Sequence, residues 1–345
     1  MMRRVILLCV LCSAATSLQA QRITDAGLHG VIERGIEAAG DQRYSEARAL
    51  FDEAMRRWPV HPAGYLNKAI LQQVMSLDFE TPVPQPEYTT LLERAIALGE
   101  KMIEQKDRVA EANFTVGMAH SYIAYDRFRD GEDWIGGLAA GLKAQSYFTD
   151  CLAADGSAWD AMTGVGTYKY WKSRRMSFLT WTPLVDDERL AGINLLRKAE
   201  KNGAYTAAQA TNSLIWIFIE EERYVDAIRA AQRMLKQFPK NRLFLWGLAS
   251  AAEKKGDLRL ARDAYQRIVQ SIDSEVRERR YIEIQARAKI ARHSFTLGDH
   301  ATARRECEWV LSHSKFDRSG FTGDGSSRIR KRVDDMVDLQ RELGR

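Results

Sequence analysis

The chain of 345 residues is 45% hydrophobic and 28% charged and carries a formal net charge of +5. That is ample apolar material for a buried core, and the length allows about two domains or one elongated body. The modest charge, with acids and bases interspersed along most segments, speaks against a nucleic-acid binder.

In chain order, Met1 to Ala20 reads as a cleaved export signal. Arg3 and Arg4 form its positive start, Val5 to Leu11 its apolar centre, and Leu18-Gln19-Ala20 its small-residue cleavage site. The alternative is an uncleaved N-terminal membrane anchor, although the apolar run is short for a span. Cleavage removes two arginines and no acid, so +5 becomes +3. Tyr44, Ala47, Phe51, Ala54 and Pro59 then fall at helical spacing, with large and small residues alternating. His61 to Phe79 and Tyr88 to Gln105 form a helical pair. The three prolines of Thr81-Pro-Val-Pro-Gln-Pro86 split them, because proline cannot continue a helix. Val109 to Phe128 pairs with Trp134 to Ala154, and Ser157 to Trp171 with Asp187 to Lys201.

Ala204 to Glu221 precedes a second clear pattern, Tyr224, Ala227, Ala231, Met234 and Pro239. Leu245, Leu248, Ala249 and Ala252 form one apolar stripe, Gly256-Asp257 breaks it, and Leu258, Ala261, Tyr265 and Ile268 form the next. His300, Ala303, Cys307 and Val310 close the series after Gly298-Asp299. Ala227 to Ala261 is 34 residues and Ala261 to Ala303 is 42, so about eight extra residues are expected to lengthen the helices around Val276 to Phe295. Residues 315–326 read as a basic flexible linker, and residues 327–345 as a polar-faced capping helix. No stretch alternates as a strand would.

These patterns resemble the tetratricopeptide repeat family, strongly over Ala204 to Leu311 and at Gly35 to Pro59 and weakly between. The resemblance implies an all-α, right-handed superhelical solenoid over residues 21–314, built from about seven hairpins, with a concave groove that binds peptides or proteins. Gly164, Gly166, Pro183, Asp187-Glu188-Arg189, Gly192, Leu195-Leu196 and Gly203 faintly resemble a eukaryotic repeat family linked to clearance of inclusion bodies, from which only the hairpin shape is carried over. A solenoid brings together only neighbouring repeats, so Cys151 and Cys307 are expected to stay free, with Cys307 a small buried hydrophobe.

No catalytic or metal site emerges. The six histidines show no H-E-x-x-H spacing, and His300 stands where packing calls for an aromatic. No phosphate loop or nucleophile elbow occurs, and no convergent set of acids forms. The reading is therefore non-enzymatic, with no cofactor. The resemblance places Gln209, Asn212, Ser213 and Trp216, then Trp246 and Ser250, then Lys289 and Arg292 on the concave side. There an amide can bond an extended backbone, an indole can stack, and a cation can hold a carboxylate. The alternative is that both tryptophans are core.

A second candidate is Tyr168 to Val185, where Lys169, Lys172, Arg174 and Arg175 interleave with aromatics. Trp171, Arg174, Arg175, Phe178 and Trp181 suit a peripheral contact with an anionic membrane or a partner protein. The alternative is a loop folding its aromatics back over the hairpin. The expected role is a periplasmic or secreted scaffold for a protein or peptide partner. The competing role is a ligand- or lipid-binding accessory component of an envelope system, with Gly136, Gly137 and Gly141 of the helix Trp134 to Ala144 lining an apolar pocket.

Overall fold

The computed structural model describes residues 22–130, 133–175, 186–272, 280–315 and 325–344. The export signal, Phe178, Trp181 and residues 316–324 of the linker lie outside them.

Seven consecutive helical hairpins follow one another: α1 (Ala26–Gly40) with α2 (Tyr44–Arg57), α3 (Pro62–Phe79) with α4 (Glu87–Glu104), α5 (Val109–Asp130) with α6 (Trp134–Ala154), α7 (Ala161–Arg175) with α8 (Arg189–Asn202), α9 (Ala207–Glu220) with α10 (Tyr224–Gln237), α11 (Arg242–Lys255) with α12 (Leu258–Gln270), and α13 (Arg280–Thr296) with α14 (His300–His313). A last helix, α15 (Gly325–Leu343), packs on α13 and α14. Each helix packs on the next, and most first helices also touch the first helix of the following hairpin. This is the all-α superhelical solenoid that the spacing predicts.

Local chemistry explains the breaks. Asp25, Asp133, Asn241, Asp257 and Asp299 each accept a hydrogen bond from a first-turn backbone N–H, satisfying a donor the helix itself cannot. Gly256 and Gly298 follow helices with φ of 86° and 80°, a left-handed conformation open to glycine without strain. The extra length near α13 is distributed differently from the expectation. Nine residues separate α12 from α13, against four between α10 and α11, and α13 has 17 residues against 14 in α11.

The repeat positions are buried. Ala47, Ala227, Ala261 and Ala303 are wholly inaccessible, and Phe51, Tyr265 and Val310 nearly so. Small residues let large ones in: a Cβ at Gly35 would collide with the Phe51 ring, and one at Gly164 with the ring of Phe148. The alternation of alanine or glycine with aromatics is thus the packing rule of the stack. His300 departs from it, being exposed with its ring edge-on to Phe295 at 5.3 Å. Cys151 and Cys307 are both buried and free, and Cys307 Sγ donates to the Met336 carbonyl at 3.2 Å.

One expectation fails. The stack does not confine contacts to neighbouring repeats. Asp78 at the end of α3 pairs with Arg242 at the start of α11, with side chains only 1% and 2% exposed. Asn241 donates to the Gly40 carbonyl at 2.7 Å, Phe238 lies against Gly40, and Arg328 of α15 reaches Glu80 at 3.0 Å. At the opposite ends of the first helices, Tyr205 ties α1 to α5 and the loop before α9. Its hydroxyl accepts from Ile23 N at 3.1 Å and meets His29 Nδ1 at 2.8 Å, while its ring stacks on Phe114. The superhelix curls tightly enough for its first two hairpins to touch its last three.

Candidate partner-binding surface

On α9 the apolar residues Ala210, Leu214, Ile215, Ile217 and Phe218 turn inward. The opposite stripe, at i, i+3, i+4 and i+7, is Gln209, Asn212, Ser213 and Trp216. Gln209 is exposed, Asn212 and Ser213 are half-buried, and Trp216 is 40% exposed. Asn212 Oδ1 is buried without a hydrogen-bond partner. An unpaired buried acceptor is unfavourable, and a donor from a bound peptide would relieve it.

On α11 and α13 the strip is progressively closed. Trp246 is half-buried, edge-on to Tyr265 at 5.3 Å and packed against the main core, and Ser250 is half-buried. Lys289 bonds Glu253, and Tyr265 Oη donates to the same carboxylate at 2.9 Å. Burial pushes the Glu253 carboxyl up, but Lys289 and Tyr265 outweigh it and hold it below its ordinary range. His293 stacks on Tyr265 at 5.9 Å, and its imidazole is held below its ordinary value, chiefly by burial and then by the cations Lys289 and Arg332. Arg292 does not face an open groove. Its guanidinium holds Asp335 at 2.6 Å and Glu342 at 3.0 Å, both on α15. The capping helix carries acids that the sequence pattern did not match to a cation.

The basic aromatic segment is partly engaged in the fold. Trp171 packs against the main core with Tyr170 edge-on at 5.1 Å. Arg174 pairs with Glu220 at 2.6 Å, and the Arg175 guanidinium lies over the Phe128 ring at 5.8 Å. The small residues of the glycine-rich helix α6 are spent on close packing. A Cβ at Gly137 would stand 3.1 Å from the Phe128 ring, and Ala140 and Ala144 are buried, so the small residues serve the close α5–α6 contact. Ile135, Leu138 and Leu142 turn outward instead, 65%, 46% and 51% exposed.

A cleft of about 470 Å³ lies between α4, α5 and α6, lined by Ile96, Glu100, His120, Lys143, Ser146, Tyr147 and Asp150. It is a polar hollow, with His120 stacked on Tyr147 and held below its ordinary value, mainly by burial. Among the described residues, no group of three or more His, Cys, Asp and Glu side chains is placed to hold a metal ion, and no helix is long and apolar enough to cross a membrane.

The residues that sequence reasoning missed are Asp78, Arg242 and Tyr205. The first two carry a signal in hindsight. Asp78 sits in the last turn of α3 and Arg242 at the first position of α11, each at the helix end that the backbone dipole disfavours for its charge.

Residues 213–276 match the tetratricopeptide repeat family. No curated protein sequence matches the chain. Among solved structures, the chain is similar to a tetratricopeptide protein of Thermus thermophilus at 17% identity, covering 66% of this chain and 99% of that one, with a TM-score of 0.42. It is also similar to part of a repeat protein of Cytophaga hutchinsonii at 14% identity, covering 88% and 98%, with a TM-score of 0.45. Human IFIT1, solved as a dimer with m7Gppp-AAAA, is similar at 10% identity over 93% of this chain and 82% of that one, with a TM-score of 0.43.

Proposed function

We propose that this protein is a non-enzymatic scaffold that captures an extended segment of a partner protein along the first-helix strip of α9 and α11. The observation that carries the reading is Trp216 standing in solvent one helical turn from the orphaned Asn212 carbonyl. A peptide N–H would satisfy that acceptor while an apolar side chain covers the indole. Trp and neighbouring amides are the residue types that concentrate binding energy at interfaces. Gln209 extends the same strip by one turn, and Trp246 supplies half-buried aromatic area beyond it. Arg292 and Lys289 contribute by fixing α15 and Glu253, so the strip ends at the cap.

Residues 1–20 read as an export signal, so the location proposed is the periplasm or outside the cell, with an N-terminal membrane anchor as the alternative. Cell fractionation, with N-terminal sequencing expected to begin at Gln21, checks that placement. The binding reading is tested by capture from envelope extracts with residues 21–345 as bait. Trp216→Ala combined with Gln209→Ala is expected to lose the captured partner while helicity stays unchanged. Undiminished capture by that variant would refute the strip as the binding surface.

A further inference from the structure

The contacts between the first two hairpins and the last three form a connected set. At its centre, Arg242 Nε donates to Asp78 Oδ1 at 2.7 Å, and a second guanidinium nitrogen bonds Oδ2. Tyr44 Oη donates to the same carboxylate at 2.9 Å, and Arg242 Nη1 donates to the Ser271 carbonyl at 3.0 Å. The Asp78 side chain is 1% exposed, with four elements meeting around it: α2, α3, α11 and the end of α12. The Glu80–Arg328 pair, the Asn241–Gly40 bond, the Phe238 ring over Gly40 and the Tyr205 hydroxyl on Ile23 N and His29 Nδ1 complete the set.

We propose that this set is a clasp: it holds the superhelix closed, and its release separates the first two hairpins from the last three without unfolding either. Three physical points support this. The groups it joins are 164 residues apart, whereas every repeat is already stabilised by its own neighbours in the stack. Its centre is a buried ion pair, whose desolvation cancels much of its attraction, so it confers geometric specificity more than net stability. Its apolar part consists mainly of three rings: Phe238 on Gly40, Phe79 between the two cores, and Tyr205 against the first core and edge-on to His29. A joint that is specific in geometry but weak in net free energy is suited to two discrete states. This inference is independent of which partner the strip binds.

The test uses the full mature chain. Arg242→Gln breaks the ion pair and leaves the Asp78 carboxylate without its cation unless the joint opens to water. It is expected to keep the helical circular dichroism while raising the radius of gyration in solution scattering. Amide exchange at 76–81 and 238–243 should quicken by about tenfold or more, with α5 to α7 unchanged. Glu80→Cys with Arg328→Cys, joined by a short bis-maleimide in the same background, should restore the native radius. A native radius and native exchange in Arg242→Gln would overturn the proposal. So would loss of helicity throughout the chain, both there and in the more exposed variant Glu80→Ala with Arg328→Ala, because the contact would then belong to one cooperative core.

Discussion

Individual side chains in this protein divide into those the stack consumes and those it leaves over. Arg242 is consumed: burial alone would lower its affinity for a proton, but Asp78 and Tyr44 outweigh it and keep the guanidinium charged. Tyr44 is pushed well above its ordinary value, by burial first and then by the Asp78 charge. Removing one partner strands the other in the closed joint, so Arg242→Ala is expected to disfavour closure by about 3–5 kcal/mol, whereas Asp78→Leu with Arg242→Met keeps the joint closed at little cost. Solution scattering of both variants measures the difference, and an equal rise in radius would contradict this account.

His120 and His293 are held below the ordinary histidine value of 6.5. Above 6.5 both states of the chain are neutral at these sites and nothing is lost. Below 6.5 the unfolded chain takes up protons that the folded chain resists, so stability falls as the pH drops toward the depressed folded values. The melting temperature should therefore decline as the pH falls below about 6.5, and His120→Phe should flatten that slope. Trp216 is left over, and its replacement by alanine should leave the melting temperature almost unchanged, because its indole is already 40% in water.

At the scale of the element, what matters is where each helix stops and what covers its last face. Gly256 ends α11 at φ 86° with open space where a methyl group would sit, so Gly256→Ala should cost about 1 kcal/mol from backbone strain alone. A matching loss at a glycine of negative φ with equally open surroundings would argue against that cause. The capping helix α15 buries Ile329, Met336 and Leu339, and its acids neutralise Arg292. Deleting residues 325–345 should expose the apolar face of α13 and α14 and free that cation. Exchange should then quicken first in α13 and α14, and the truncated chain should self-associate; unchanged exchange in those helices would show that the cap is dispensable. The hairpins themselves were legible, because an alanine–aromatic rhythm at 34-residue spacing has few other physical explanations. The extra residues before α13 were not, because periodicity reports the phase of a helix and not the length of the chain between two helices.

At the scale of the molecule, the largest continuous core runs from Met162 through α8 to α15 and includes Phe218, Phe244 and Tyr265. Two smaller cores serve α1 to α3 and α3 to α7. Because nearest-neighbour terms dominate in a repeat stack, the slowest-exchanging amides should lie in α9 to α12, where neighbours flank both sides and the core is deepest. Faster exchange there than in α1 and α2 would be inconsistent with that ordering. The candidate strip was half legible: the positions of Gln209, Asn212 and Trp216 on one helix face follow from helical geometry. That Trp216 remains in solvent, Trp246 sinks against Tyr265, and Arg292 is taken by Asp335 depends on neighbours that the helix's own period does not reveal.

The sequence by itself determined the repeating unit, the number of hairpins and the interior face of each helix. Those are short-range consequences of residue size and spacing. Only the tertiary structure decided how tightly the stack curls, and hence that Asp78 meets Arg242 and Tyr205 meets His29. Curvature is the sum of small rotations over many repeats, and no local stretch of chain encodes that sum.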